Sequence, residues 1–191
     1  MKATAKKSKA KQGPAYLPGD PVGSRDVDAM IRVDQAGEYG AARIYAGQLS
    51  VLAERPSGPV IREMAEQEQN HLDAFNKMIV ERRVRPTALT PVWHAAGYAL
   101  GAATALMGER AAMACTVAVE EVIDEHYAAQ ADRLEEDEAD LKATIEKFRA
   151  EELEHRDIGY AHGAEQAVGY PVLSATIKRA SKLAIWLSER I

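Results

Sequence analysis

Glu68-Gln69-Asn70-His71 and Glu152-Leu153-Glu154-His155 are the two stretches that decide the fold. Each sets a glutamate and a histidine three residues apart, which on an α-helix puts both side chains on one face. Each is preceded by a segment carrying a glutamate of its own. Around Glu38 the chain continues Ile44-Tyr45-Ala46-Gly47-Gln48, and around Glu120 it continues His126-Tyr127-Ala128-Ala129-Gln130. Tyrosine and glutamine follow the glutamate by seven and ten residues in both copies, a register that selects Glu120 over Glu121. Glu68 then lies 30 residues after Glu38, and Glu152 lies 32 after Glu120. Ile61, Met64 and Asp73 match Ile145, Phe148 and Asp157 in the same frame. The chain is an internal duplication, each half a helix with one glutamate followed by a helix with Glu-x-x-His.

That arrangement has a chemical reason. Two halves packed about a pseudo-two-fold gather Glu38, Glu68, His71, Glu120, Glu152 and His155 around one point. Four buried carboxylates without compensation cost several kcal/mol each. The same helix faces carry few cations, whereas two divalent ions neutralise four carboxylates. Oxygen-rich ligation favours iron or manganese over zinc. The set is that of the di-metal carboxylate four-helix bundles. A single Glu-x-x-His occurs often by chance; two copies, each with a core-facing glutamate upstream, are specific.

Outward from these motifs the chain reads as all-α. Ala, Glu and Leu outweigh the β-branched residues, a mix that favours helix. Helices are expected from Ser24 (as N-cap) to Glu54, from Ser57 or Pro59 to Arg83, from a Thr90 cap with Pro91, from Glu109 to Glu135 after a break at Gly108, from Glu138 to Gly163, and from Gly169-Tyr170-Pro171 to the C-terminus. Stripes at steps of three and four mark the core: Val27, Ile31, Asp34, Glu38, Ala41, Tyr45; Ile61, Met64, Glu68, His71, Phe75; Met113, Val117, Glu120, Asp124, Tyr127; Leu141, Ile145, Phe148, Glu152, His155. Each is apolar toward its ends and acidic in the middle. The expected fold is a ferritin-like four-helix bundle with the two-fold repeat, plus an apolar helix and a C-terminal helix.

Other residues read less sharply. Asp34 and Asp124 lie one turn from a proposed ligand and either orient a histidine or close a buried hydrogen-bond network. Tyr45 and Tyr127 read as core aromatics, His162 as outside the site, and Cys115 as a buried thiol. A single cysteine excludes a disulfide framework. The net charge of −5 gives no reason to expect nucleic acid.

Two regions stand apart from the bundle. Residues 1–23, with five lysines and then Pro14, Pro18, Gly19 and Pro21, read as a basic flexible tail ahead of a domain at 24–191. From Val92 to Met107 no residue is charged. The run is shorter than the roughly 20 residues that span a bilayer and reads either as a buried core helix or, the favoured reading, as a helix in the membrane interface. Trp93 and Tyr98 suit that boundary, and Gly97 and Gly101 allow close helix approach or a dimer contact.

Longer blocks carry a resemblance. Arg32-Val33-Asp34-Gln35-Ala36-Gly37-Glu38-Tyr39-Gly40-Ala41, Ala112-Met113-Ala114-Cys115-Thr116-Val117-Ala118-Val119-Glu120-Glu121, Phe148-Arg149-Ala150-Glu151-Glu152-Leu153-Glu154-His155-Arg156-Asp157 and the closing Leu187-Ser188-Glu189-Arg190 resemble the demethoxyubiquinone hydroxylases of ubiquinone biosynthesis. Gln35 departs from the histidine expected there. The resemblance implies a peripheral membrane monooxygenase that hydroxylates the ring of a polyprenylated demethoxyubiquinol with O2. It implies two iron ions held by Glu38, Glu68, His71, Glu120, Glu152 and His155, with Glu68 and Glu152 bridging. It further implies NADH as reductant, a lipid-binding accessory protein as partner, and a location on the cytoplasmic side of the cell membrane, or on the matrix side of the inner membrane in mitochondria. A homo-oligomer is compatible with it. The competing reading of the same ligand set is a ferritin-like iron oxidase or peroxide-scavenging di-metal protein.

Overall fold

The structure, a computed structural model, describes residues 25–191. The expected basic tail and the Ser24 cap lie outside them. Six helices run in order: α1 (Arg25–Leu52), α2 (Gly58–Glu81), α3 (Thr90–Leu106), α4 (Glu109–Ala131), α5 (Ala139–Ala161) and α6 (Tyr170–Ser188). Among the described residues there is no strand.

Most boundaries follow their local chemistry. Gly108 breaks the chain between α3 and α4 at φ 114, a backbone angle that favours glycine. Thr90 is the first residue of α3 rather than its cap, with Pro91 next in the first turn. Its hydroxyl donates to the carbonyl of Thr87, whose own hydroxyl accepts from Leu89 N–H. α4 stops at Ala131, short of the expected Glu135, because the Gln130 carbonyl accepts from both Arg133 and Leu134 and turns the chain. The turn still buries Leu134.

α1, α2, α4 and α5 form the bundle. The contacts Asp34–Gln130, Tyr45–Glu120 and Gln48–Ala112 set α1 antiparallel to α4. Those of His71 and His155 set α2 antiparallel to α5. The expected stripes are the buried faces: Ile31, Tyr45, Ile61, Met64, Phe75, Met113, Val117, Tyr127, Leu141, Ile145 and Phe148 are all core. From Ala111 to Glu120 every residue of α4 is buried, so this stretch of the helix is enclosed on all sides.

The two remaining helices extend the duplication. α3 lies along α1, and α6 lies along α4. α3 approaches so closely that a Cβ on Gly97 would sit 2.8 Å from the carbonyl oxygen of Gly40, while one on Gly101 would run into that of Ile44. Of the two roles expected for these glycines, the structure assigns close approach within one chain. Each half is therefore three helices, the third covering the outside of the first. α3 and α6 leave Val92, Leu106, Met107, Val172, Leu183 and Trp186 exposed. Among the described residues no helix is long and apolar enough to cross a membrane.

Candidate metal centre

The midpoints of the four bundle helices bring Glu38, Glu68, His71, Glu120, Glu152 and His155 together. Each is at most 1% exposed. They form two overlapping groups: Glu38, Glu68, His71 and Glu152, and Glu68, Glu120, Glu152 and His155. Within each group, one donor atom per residue lies within 4.8 Å of the others. Glu68 and Glu152 belong to both groups, while each histidine belongs to one. Glu121 turns away to Lys178 at 2.5 Å and to the Tyr160 hydroxyl at 2.9 Å.

The histidines face inward through Nδ1. His71 Nδ1 is 3.0 Å from Glu152 Oε1 and 3.6 Å from Glu38 Oε2. His155 Nδ1 is 3.0 Å from Glu68 Oε1 and 3.3 Å from Glu152 Oε2. Their outer nitrogens are held separately, His71 Nε2 by Glu151 Oε2 at 2.8 Å and His155 Nε2 by Gln67 Oε1 at 2.5 Å. The outer partners are a carboxylate and an amide oxygen, which only accept, so each Nε2 carries a proton and donates it outward.

Electrostatics set the site's charge. Burial drives the Glu38, Glu68 and Glu120 carboxyls upward, and neighbouring carboxylates add to the rise. Glu152 goes the other way. Burial raises it, but His155 and His71, both beside it and positively charged, together outweigh burial and hold it at about 2. Burial lowers the histidines, yet their carboxylate partners raise His71 to about 10 and His155 to about 9. Protons held on the carboxyls and imidazoles balance the charge of the carboxylates.

The donor atoms fit a pair of hard cations. Glu38 Oε2, both oxygens of Glu68, Glu120 Oε2, Glu152 Oε2 and His155 Nδ1 are buried and make no hydrogen bond. So many orphaned polar atoms converging on one point are costly unless something charged sits among them. Oxygen-rich donors with one imidazole in each group suit iron or manganese.

Several residues outside this set have definite partners. Tyr45 donates to Glu120 Oε1 at 3.0 Å, and Tyr127 donates to Glu38. Burial and the adjacent carboxylates push both phenols well up, so both keep their protons. They are more than core aromatics. Asp34 lies in a buried network with Gln130 at 2.8 Å and His126 at 3.3 Å and orients neither ligand histidine, His71 or His155. Asp124 pairs with Arg149 at 2.6 Å. Gln35 donates to Asn76, His94 bonds Tyr39, and His162 is exposed and bonded to the Ile158 carbonyl. Burial pushes the Cys115 thiol up to about 12, which leaves it inert.

An apolar cavity of about 180 Å³ lies between α1, α3, α4 and α6. Gly37 and Ala41, which flank Glu38, and Val119, which precedes Glu120, form part of its wall. Trp93 and Leu100 of α3 and Ala184 and Ile185 of α6 form the outer side. Trp93 Nε1 donates to the Ser188 hydroxyl at 3.0 Å and ties α3 to the end of α6. A Cβ built on Gly37 or Gly40 would meet nothing within 4 Å. The packing therefore gives no reason for two glycines in mid-helix, where each costs about 1 kcal/mol against alanine.

The family model described as "Ubiquinone biosynthesis protein COQ7" matches residues 25–188. The chain belongs to that family. Among its relatives, the 3-demethoxyubiquinol 3-hydroxylase of Rhodospirillum rubrum is 61% identical over 176 residues, covering 92% of this chain and 83% of the relative. The human NADPH-dependent 3-demethoxyubiquinone 3-hydroxylase, mitochondrial, is 53% identical, covering 90% and 81%. The 5-demethoxyubiquinone hydroxylase, mitochondrial, of Saccharomyces cerevisiae is 45% identical, covering 86% and 78%. The all-α architecture is consistent with that family.

Proposed function

We propose that this chain is a di-iron monooxygenase that hydroxylates the ring of a polyprenylated demethoxyubiquinol in ubiquinone biosynthesis. The observation that carries the reading is the apolar cavity lined by Gly37, Gly40 and Ala41, within three residues of Glu38 on α1, and by Val119, next to Glu120 on α4. Its family and the names of its relatives, hydroxylases of demethoxyubiquinol or demethoxyubiquinone, point to the same substrate. An iron oxidase or peroxide scavenger acts on small solutes and has no use for such a cavity.

The balance is a ring C–H, O2, two electrons and two protons giving a ring C–OH and water. Two ferrous ions, when bound, supply the redox chemistry that makes O2 reactive toward an electron-rich ring. The protein's own residues do the rest. Glu68 and Glu152, common to both donor groups, would serve both ions, Glu38 and His71 would hold one, and Glu120 and His155 would hold the other. Tyr45 and Tyr127 fix the orientation of Glu120 and Glu38. The side chains around the cavity exclude water and align the isoprenoid chain. Gly37 and Gly40 leave room for a flat ring against the helix backbone.

The exposed apolar residues of α3 and α6 suit a peripheral seat on the membrane that holds the quinol. In a bacterium this would be the cytoplasmic face of the cell membrane, and in a mitochondrion the matrix face of the inner membrane. A reduced nicotinamide is the expected electron source. The human relative's name specifies NADPH, so NADPH is to be tried beside the NADH that the sequence resemblance implies. The test is anaerobic loading with ferrous iron, then O2 with a short-chain demethoxyubiquinol. Hydroxylated quinol is expected. Iron oxidation without hydroxylated product, or equal turnover with peroxide alone, would leave the iron-oxidase or scavenger reading in its place.

A further inference from the structure

The duplication puts chemically different groups at one equivalent position. Gln67 and Glu151 each immediately precede a shared glutamate, Glu68 and Glu152. Each reaches across the α2–α5 interface to the outer nitrogen of the other half's histidine. The His71 N–H is thus held by a carboxylate and the His155 N–H by a neutral amide. Elsewhere around the centre the halves match closely: tyrosine against tyrosine, Glu38 against Glu120, histidine against histidine.

This difference acts on the metal through the imidazole. A carboxylate accepting the Nε2 proton leaves more electron density at Nδ1 than an amide does, making the ring a stronger donor. Glu151 is 31% exposed, and its other oxygen lies 3.6 Å from Lys147 Nζ, while His71 is 1% exposed. The charge therefore sits at the rim and its effect is delivered inside.

We propose that Glu151 and Gln67 are positioning residues that make the two metal positions inequivalent, so that the ion beside His71 binds more tightly than the ion beside His155. The inference rests on the reading of this centre as a metal pair. Partners of this kind typically change metal affinity about 10–100-fold.

The experiment is calorimetric titration of the metal-free full-length protein with Mn2+ under anaerobic conditions. The wild type is expected to show two steps about 10–100-fold apart. Glu151→Gln weakens the tighter step until the two merge, and Gln67→Glu strengthens the weaker step until they merge. The double exchange Gln67→Glu with Glu151→Gln keeps both hydrogen bonds and the overall composition. It restores two separated steps in reversed order: His71→Ala abolishes the tight step in the wild type, and His155→Ala abolishes it in the double exchange. Two equal steps in the wild type, or separated steps that Glu151→Gln leaves unchanged, would overturn the inference alone. No Mn2+ binding by the wild type would overturn the metal centre with it.

Discussion

Tyr45, on α1, donates its hydroxyl to Glu120, on α4, at 3.0 Å, across the axis that relates the two halves of the chain. Tyr127 returns the same bond to Glu38. Each half thus supplies the donor that orients the other half's glutamate. Tyr45→Phe strips a buried carboxylate oxygen of its partner, at a cost of about 1–3 kcal/mol. For a chain of this size that is a fall in Tm of roughly 2–4 °C per kcal/mol, to be read on metal-free protein. Turnover should fall as well, because the freed Glu120 samples other orientations. An unchanged Tm would mean the hydroxyl carries no structural role.

Gly37→Ala and Gly40→Ala should move stability and activity in opposite directions. The added methyl meets no protein atom within 4 Å, so each variant should gain up to about 1 kcal/mol of helix propensity. The same methyl intrudes on the cavity, where an overpacked contact costs about 1–3 kcal/mol. A raised Tm together with a kcat/KM for quinol lowered about 10-fold or more is expected. Raised stability with unchanged kinetics would remove the cavity as the substrate's seat.

Metal uptake should depend steeply on pH. In the metal-free site His71 holds its proton to about 10 and His155 to about 9, and burial raises Glu38, Glu68 and Glu120. A metal needs neutral imidazoles and ionised carboxylates, so binding must expel protons. Apparent affinity is therefore expected to rise with pH from 6 through about 10 and to level off only above that, once both histidines are neutral. Titrations in buffers of different ionisation enthalpy measure the protons released. Uptake without proton release would contradict the charge balance drawn for the site.

Membrane attachment should be separable from the metal centre. Leu106 and Leu183 are 76% and 57% exposed. Leu106→Glu with Leu183→Glu should sharply reduce flotation with anionic liposomes and leave metal content unchanged. Flotation equal to wild type would show that α3 and α6 are not the membrane face.

Much of the architecture is legible in the sequence because burial follows the helix period. The stripes through Ile31, Met64, Met113 and Ile145 needed no tertiary knowledge, nor did the register that separated Glu120 from Glu121. The parts that escaped are those made by several helices at once. Gln67 and Glu151 carry no signal of their own in the sequence; their partners exist only once α2 and α5 run antiparallel. The cavity is walled by α1, α3, α4 and α6 together. Its one sequence signal, glycine at 37 and 40 inside a helix, can also be read as tolerated weakness. The equivalence of α3 and α6 left no shared polar residue to align, only a Pro-Val pair in the first turn of each and one alanine a turn later. Asp34 is placed by burial beside His126 and Gln130, a pairing that spacing within α1 could not supply.

The most direct measurement is the metal content of the wild type and of single-ligand variants, loaded anaerobically with ferrous iron. Because Glu68 and Glu152 belong to both donor groups while Glu38 and Glu120 belong to one each, the variants should sort. Wild type should hold two irons per chain, Glu38→Ala and Glu120→Ala close to one, and Glu68→Ala and Glu152→Ala close to none. A wild type without iron, or Glu68→Ala and Glu152→Ala that still hold two, would contradict a shared di-iron centre at these residues.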